Sequence, residues 1–354
     1  MTDARIENLN ILDETPIISP EELKAEYPLT PNIVHTVFKG QQTIKDILEK
    51  KDKRILVVVG PCSIHDIDAA KEYARKLKAL SEELGDSLYL VMRAYFEKPR
   101  TTVGWTGLIN DPYLDDSSKV EDGLKIAREL LSYIADIGLP AAGEALDIVT
   151  PQFIQDLFSW TAIGARTTES QSHRKMASGL SAVVGFKNGT DGNIKIAINA
   201  LKSVKSPHNF VSINPDGHVA VVKTKGNPHT HIILRGGKEP NYSTEHIATY
   251  EESLKKANLS TDIMVDCSHA NSNKSAKNQE LVLTDIGQQI VNGNKSIFGV
   301  MLESNLNPGK QSIPSDVKTL KYGVSVTDEC IGWDSTEKIL RDFADTITPH
   351  LTKR

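Results

Sequence analysis

Two sets of side chains in this chain could do chemistry together. The first is cationic: Arg93, Arg166, Lys187 and Arg235, joined by Lys98 and Arg100 in the run Lys98-Pro-Arg-Thr-Thr102. Arginine grips phosphate and carboxylate through a planar fork of paired, charge-assisted hydrogen bonds, and lysine supplies a mobile point charge. The second set is Cys62, His269, Glu303 and Asp328. A thiolate, an imidazole and two carboxylates suit a divalent transition metal such as Mn2+, Fe2+, Co2+ or Zn2+. No CxxC or HExxH motif marks such a site, so spacing alone leaves metal binding open.

These residues are far apart in sequence, and a repeated βα architecture is what could gather them. From Arg54 onwards, short β-branched runs alternate with segments of helical period. The expected strands are Ile55–Val59, Leu88–Arg93, Ala141–Glu144, Ala162–Arg166, Val183–Lys187, Ile232–Arg235, Ile263–Cys267 and Phe298–Glu303, the eight of a (β/α)8 TIM barrel. Between the first two, Ile67, Ala70, Ala74, Leu77, Leu80 and Leu84 follow one apolar helical face, with Ser63 and Asp66 expected as its capping box. Thr150 before Pro151 reads as a helix start, and Ile339, Leu340, Phe343, Ile347 and Leu351 as the closing helix.

Barrel enzymes work at the carboxyl ends of their strands. Here those ends offer, in order, Cys62, Arg93, Glu144, Arg166, Lys187, Arg235, His269 and Glu303. A charged residue often ends a strand because the loop beyond it is solvated. Four strand ends bearing Arg or Lys, however, would repel one another in a closed ring unless an anion sat among them. The expected substrate, or pair of substrates, therefore carries several negative charges.

Two pieces exceed a minimal barrel: residues 1–53, expected to serve assembly or regulation, and a hairpin at about 209–224 around Asn214-Pro-Asp-Gly217. The catalytic barrel is expected over 54–354. A net charge of −5 gives no field for holding nucleic acid or an anionic membrane. With no long apolar run and a polar start, MTDARIENLN, the chain reads as cytoplasmic. Its three cysteines, Cys62, Cys267 and Cys330, argue against a disulfide framework. The dinucleotide-binding, P-loop and serine-elbow signatures are absent.

Several longer blocks carry a resemblance: Gly60-Pro-Cys-Ser-Ile-His-Asp66, Glu97-Lys-Pro-Arg-Thr-Thr-Val-Gly104, Gly164-Ala-Arg-Thr-Thr-Glu-Ser-Gln171, Gly185-Phe-Lys-Asn-Gly-Thr-Asp-Gly192, Ile233-Leu-Arg-Gly-Gly-Lys238 and Asp266-Cys-Ser-His-Ala-Asn271. Thr327-Asp328 and Cys330-Ile-Gly-Trp333 complete them. Nearly end to end, the chain resembles the 3-deoxy-D-arabino-heptulosonate 7-phosphate (DAHP) synthases of the microbial type, especially the tyrosine-sensitive form. The resemblance implies condensation of phosphoenolpyruvate with erythrose 4-phosphate, the first step of the shikimate pathway towards the aromatic amino acids. It implies one divalent metal on Cys62, His269, Glu303 and Asp328, and phosphoenolpyruvate on Arg93, Arg166, Lys187 and Arg235. Lys98, Arg100 and Thr101 would receive erythrose 4-phosphate, Glu144 would position a water, and Lys98 is the expected proton donor.

The resemblance also implies an aromatic amino acid effector, tyrosine favoured, in a pocket lined by Pro151, Gln152, Met176, Leu180, Ser181, Phe210, Ser212 and Val222, and a homodimer or homotetramer. Two positions depart from the family pattern. Thr106 stands where a lysine is usual, removing a nearby positive charge. Glu329 replaces a small residue beside Asp328, where it is expected to tune the metal site electrostatically. The competing readings are a synthase using another phosphosugar, such as arabinose 5-phosphate, and a barrel that binds an amino acid to regulate a partner without catalysis.

Overall fold

The computed structural model describes residues 6–100, 102–352 and 354. Its first elements are helices α1 (Pro20–Glu26) and α2 (Pro31–Leu48), each opened by a hydroxyl cap, Ser19 or Thr30, before a first-turn proline. The ring then runs β1 (Ile55–Gly60), α3 (Ile67–Glu83), β2 (Leu88–Arg93), α4 (Val120–Asp136), β3 (Ala141–Glu144), the short α5 (Pro151–Ile154), β4 (Trp160–Ile163), α6 (Gln171–Ala177), β5 (Val183–Lys187) and α7 (Ile194–Val204). An antiparallel hairpin, β6 (His208–Ile213) and β7 (Val219–Thr224), stands outside the ring. The circuit resumes with β8 (Thr230–Leu234), α8 (Thr244–Lys256), β9 (Ile263–Asp266), α9 (Gln279–Val291), β10 (Ile297–Glu303) and α10 (Trp333–Leu351).

All eight ring strands pair in parallel, and β1 bonds to both β2 and β10, which closes the barrel. Covered on both faces, the strands read as nearly continuous apolar runs. Alternation along them divides the core in two. Ile55, Val57 and Val59 of β1 face the helices, whereas Leu56 and Val58 join Val91, Trp160, Ile233, Met264, Phe298 and Met301 inside the barrel. Helix α2 contributes Ile44, Ile47 and Leu48 to that inner cluster, so it closes the amino-terminal end of the barrel. The interior is thus filled from below, and its carboxyl end is left for polar chemistry.

The expected barrel is present, with shifted strand limits. The fourth strand begins at Trp160 and stops at Ile163, so Arg166 lies three residues beyond it; the sixth stops at Leu234, just before Arg235, and the seventh at Asp266. Ser63 is not the cap of α3: Asp66 is, accepting from the Ala69 N–H, while the Ser63 hydroxyl bonds to Thr327 Oγ1. Thr150 does precede first-turn Pro151, but its hydroxyl turns to Glu97 Oε1, 3.5 Å away, instead of capping the helix. Among the described residues no helix is long and apolar enough to cross a membrane.

Candidate active site at the barrel mouth

Strand alternation decides what enters the mouth. Residues two beyond an inward-facing core residue also point inward, which places Arg93 after Val91, Glu144 after Ala142 and Glu303 after Met301. Arg93, Lys187 and Glu303 are at most 4% exposed. Such charges survive burial only when paired. Arg93 Nη2 donates to Glu303 Oε1 at 3.0 Å and to the Cys62 carbonyl at 3.2 Å, and its guanidinium lies 3.5 Å over the Tyr95 ring. Lys187 Nζ bonds to Asp266 Oδ2 at 3.0 Å.

Cys62, Glu303 and Asp328 each present a ligand atom within 4.8 Å of the others. Cys62 Sγ lies 3.8 Å from Asp328 Oδ2. Separations of roughly 3.5–4 Å are what donors about 2.0–2.3 Å from one ion keep between them, so a soft sulphur and two carboxylates here fit a transition metal. His269 stands outside that triangle, yet its Nε2 is 4.0 Å from Glu303 Oε1. Its Nδ1 lies 2.9 Å from Asp266 Oδ2, close enough for charge contact but without the alignment of a hydrogen bond. With Nδ1 turned towards Asp266, Nε2 is the ring nitrogen that faces Glu303. His269 sits at φ 55°, in the left-handed region.

The electrostatics match. Burial alone would raise the Glu303 carboxyl, but His269, Arg93 and Lys98 outweigh it and hold it down to about 2. Burial, then Glu303, pushes the Cys62 thiol up, with Lys98 opposing. A bound cation would favour the Cys62 thiolate. Lys98 Nζ donates to both the Cys62 carbonyl and its Sγ at 3.2 Å. Burial works against that ammonium, but Cys62, Glu303 and Glu144 raise it, so it holds its proton at neutral pH.

The remaining cations are less enclosed. Arg235 is half-buried, its backbone N–H held by Asn188 Oδ1, and burial lowers its pKa, with Asp266 opposing and Arg166 adding to the drop. Arg166 is exposed and near enough to Arg235 to repel it. Arg100 is exposed with Nε on the Trp105 carbonyl, and Thr101 lies outside the described residues. Thr106 is exposed too; its carbonyl accepts the Lys98 N–H at 2.8 Å, so this departure from the family pattern still supports the Lys98 backbone. Glu329 turns its carboxylate to the Ala276 N–H at 2.9 Å, an engagement with backbone that the sequence reading did not anticipate.

The expected effector lining falls on two neighbouring sets of elements. Pro151 and Leu180 border a small cavity that also meets Glu97 and Glu144. Phe210 pairs with Val222, and Ser212 with Ala220, on the more buried face of the hairpin, and the Ser212 hydroxyl is buried without a partner. Met176 is buried on α6, Gln152 is half-buried on α5 and Ser181 is exposed.

Sequence reasoning passed over Asp266, the carboxylate between Lys187 and His269. It is wholly buried, and although burial opposes its charge, His269 and Lys187 hold its pKa well below the usual range. The signal was available: Asp266 lies two residues beyond inward-facing Met264, whereas Cys267, taken as the strand end, follows Val265 into the helix-facing core. Ser268, two beyond Asp266, continues that parity and donates to Glu303 Oε2 at 2.8 Å, whereas Gln279, which brackets the Glu303 backbone with two hydrogen bonds, had no such periodic mark.

Comparison with known proteins agrees with this geometry. Residues 26–341 match the DAHP synthetase I family. The chain is 54% identical over 349 residues to the Tyr-sensitive phospho-2-dehydro-3-deoxyheptonate aldolase of Salmonella typhimurium, covering 99% of this chain and 98% of that one. It is 56% identical over 341 residues to the Phe-sensitive enzyme of that name from Escherichia coli, covering 96% and 97%. A solved phospho-2-dehydro-3-deoxyheptonate aldolase from Francisella tularensis superposes with a TM-score of 0.93 at 48% identity, covering 96% of this chain and 98% of that one. A closed barrel with a thiol, carboxylates and cations converging at its carboxyl mouth, matched over this length, shows that the chain belongs to the DAHP synthetase I family of synthase enzymes.

Proposed function

We propose that the chain condenses phosphoenolpyruvate with erythrose 4-phosphate, with one divalent metal ion held by Cys62, His269, Glu303 and Asp328. The observation that carries this reading is the meeting of Cys62, Glu303 and Asp328 with Lys98, Arg93 and Lys187 at one barrel mouth. The bound ion would supply Lewis acidity towards the aldehyde oxygen of the sugar phosphate. Arg93, Lys187, Arg166 and Arg235 would bind the carboxylate and phosphate of phosphoenolpyruvate and offset the negative charge that builds as water adds at C2 and phosphate leaves. Lys98, whose Nζ lies 3.2 Å from Cys62 Sγ, would deliver a proton to the new hydroxyl. Glu144, inward-facing at the end of β3, would orient the water, and Arg100 with Thr101 would receive the sugar phosphate.

Residues 1–53 and the hairpin would serve a homodimer or homotetramer and an aromatic effector, for which tyrosine is our candidate. Names of relatives carry both a Tyr-sensitive and a Phe-sensitive form at nearly equal identity, so the effector is to be decided by comparing inhibition by the two amino acids.

The test follows loss of phosphoenolpyruvate absorbance in chelator-stripped protein with erythrose 4-phosphate, with and without added Mn2+, for the native chain and Cys62→Ala. Consumption restored by metal and abolished in the variant is the expected result. No consumption with any of Mn2+, Fe2+, Co2+ or Zn2+ would overturn the reading, and faster phosphate release with arabinose 5-phosphate would reassign the sugar.

A further inference from the structure

Two loops must agree before four ligands can face one ion. The loop after β9 carries His269; the excursion after β10 carries Asp328, the exposed member of the set. The first is braced within itself: the His269 carbonyl accepts from the Lys274 N–H at 2.8 Å and the Ser272 hydroxyl at 3.2 Å, and the Ser272 carbonyl accepts from Asn278 Nδ2 at 3.0 Å. It holds three residues in the left-handed region, His269, Asn273 and Lys274, a conformation that costs free energy in a non-glycine residue. The second is closed at its base by the Ser304–Ile331 bridge, next to the end of β10, and by the Gly309–Cys330 bridge within it. Between the two loops runs the bond from the Ala276 N–H to Glu329 Oε2, 2.9 Å long, one residue from Asp328 and at the end of the brace that begins at His269.

We propose that Glu329 is a positioning residue that fastens the Asp328 loop to the His269 loop and so preorganises the metal site, touching neither the ion nor the substrates. The proposal rests on the ligand set given above. Side chains that hold ligands from behind typically contribute about 10–100-fold in metal affinity. With Glu329 engaged by Ala276, its contribution is geometric, and an uncharged acceptor of the same length should serve.

Mn2+ binding to the metal-free protein, measured by electron paramagnetic resonance for the native chain, Glu329→Ala and Glu329→Gln, tests this without any turnover. Glu329→Ala is expected to weaken binding about tenfold. Glu329→Gln, whose amide oxygen still accepts, is expected to stay within about twofold of native, and thermal melting of the three metal-free proteins is expected to agree. Equal affinity of Glu329→Ala and native overturns the proposal, as does a loss in Glu329→Gln as large as in Glu329→Ala, which would assign the effect to charge. A native chain that binds no Mn2+ would instead remove the ligand reading on which the proposal stands.

Discussion

Space around single side chains decides how the mouth responds to substitution. A Cβ added at Gly164 would collide with Glu144 Oε1, the movable end of a side chain and not fixed backbone. Gly164→Ala is therefore expected to fold but to push the Glu144 carboxylate aside, lowering kcat by up to about 100-fold, the scale of a misplacement near 1 Å. Mn2+ affinity should stay as in the native chain, since Glu144 is outside the proposed ligand set; a kcat within twofold of native would show that Glu144 position is unimportant. Gly107 is different, because at φ +111° its Cβ would meet the Phe96 carbonyl, which cannot swing away. At Asp266, Asn would leave Lys187 without its anion and remove the negative charge beside the His269 ring. Asp266→Asn is expected to weaken Mn2+ binding about 10–100-fold and raise KM for phosphoenolpyruvate, both read by titration; unchanged values for both would remove Asp266 from the site.

Among the elements, α3 and the hairpin illustrate what local pattern can and cannot specify. The apolar face foreseen for α3 is buried through Ala70, Ala74, Leu77 and Leu80, because a period near 3.6 faces one side whatever the neighbours are. Its cap was misassigned: Ser63 and Asp66 both read as capping residues, and the choice fell to Thr327, which takes the Ser63 hydroxyl from 264 positions away. Asp66→Ala is expected to cost about 1 kcal/mol of stability, checked as a lower denaturant midpoint. Ser63→Ala should leave α3 intact. The hairpin was legible from Asn214-Pro-Asp-Gly217, where Gly217 takes φ 82° in a turn that favours glycine.

For the molecule as a whole, burial of charge sets the pH response. Burial, followed by Asp147 and Glu144, pushes the Glu97 carboxyl up to about 8 from its ordinary 4.5. The folded chain thus keeps a proton that the unfolded chain releases, so this group's contribution to stability falls as pH rises from about 4.5 and is fully lost above about 8. Glu97→Gln removes that dependence. Its melting temperature minus that of the native chain should be smallest near pH 5 and grow to a plateau by pH 9. A difference that does not change with pH would place the Glu97 titration outside this range.

The sequence by itself determined the eight βα units, the hairpin and the inward parity that brings Arg93, Glu144, Lys187 and Glu303 to one end, because alternation and helical period are local properties of the chain. It determined the residue types available for the site, and family blocks long enough to name the reaction class. Tertiary structure decided the rest. Asp266 became the partner of Lys187, 79 positions away, because the strand order sets β8 between β5 and β9. Glu329 met Ala276 because the excursion after β10 folds back across the loop after β9. Such contacts join positions tens of residues apart, and no local periodicity encodes a distance between two loops.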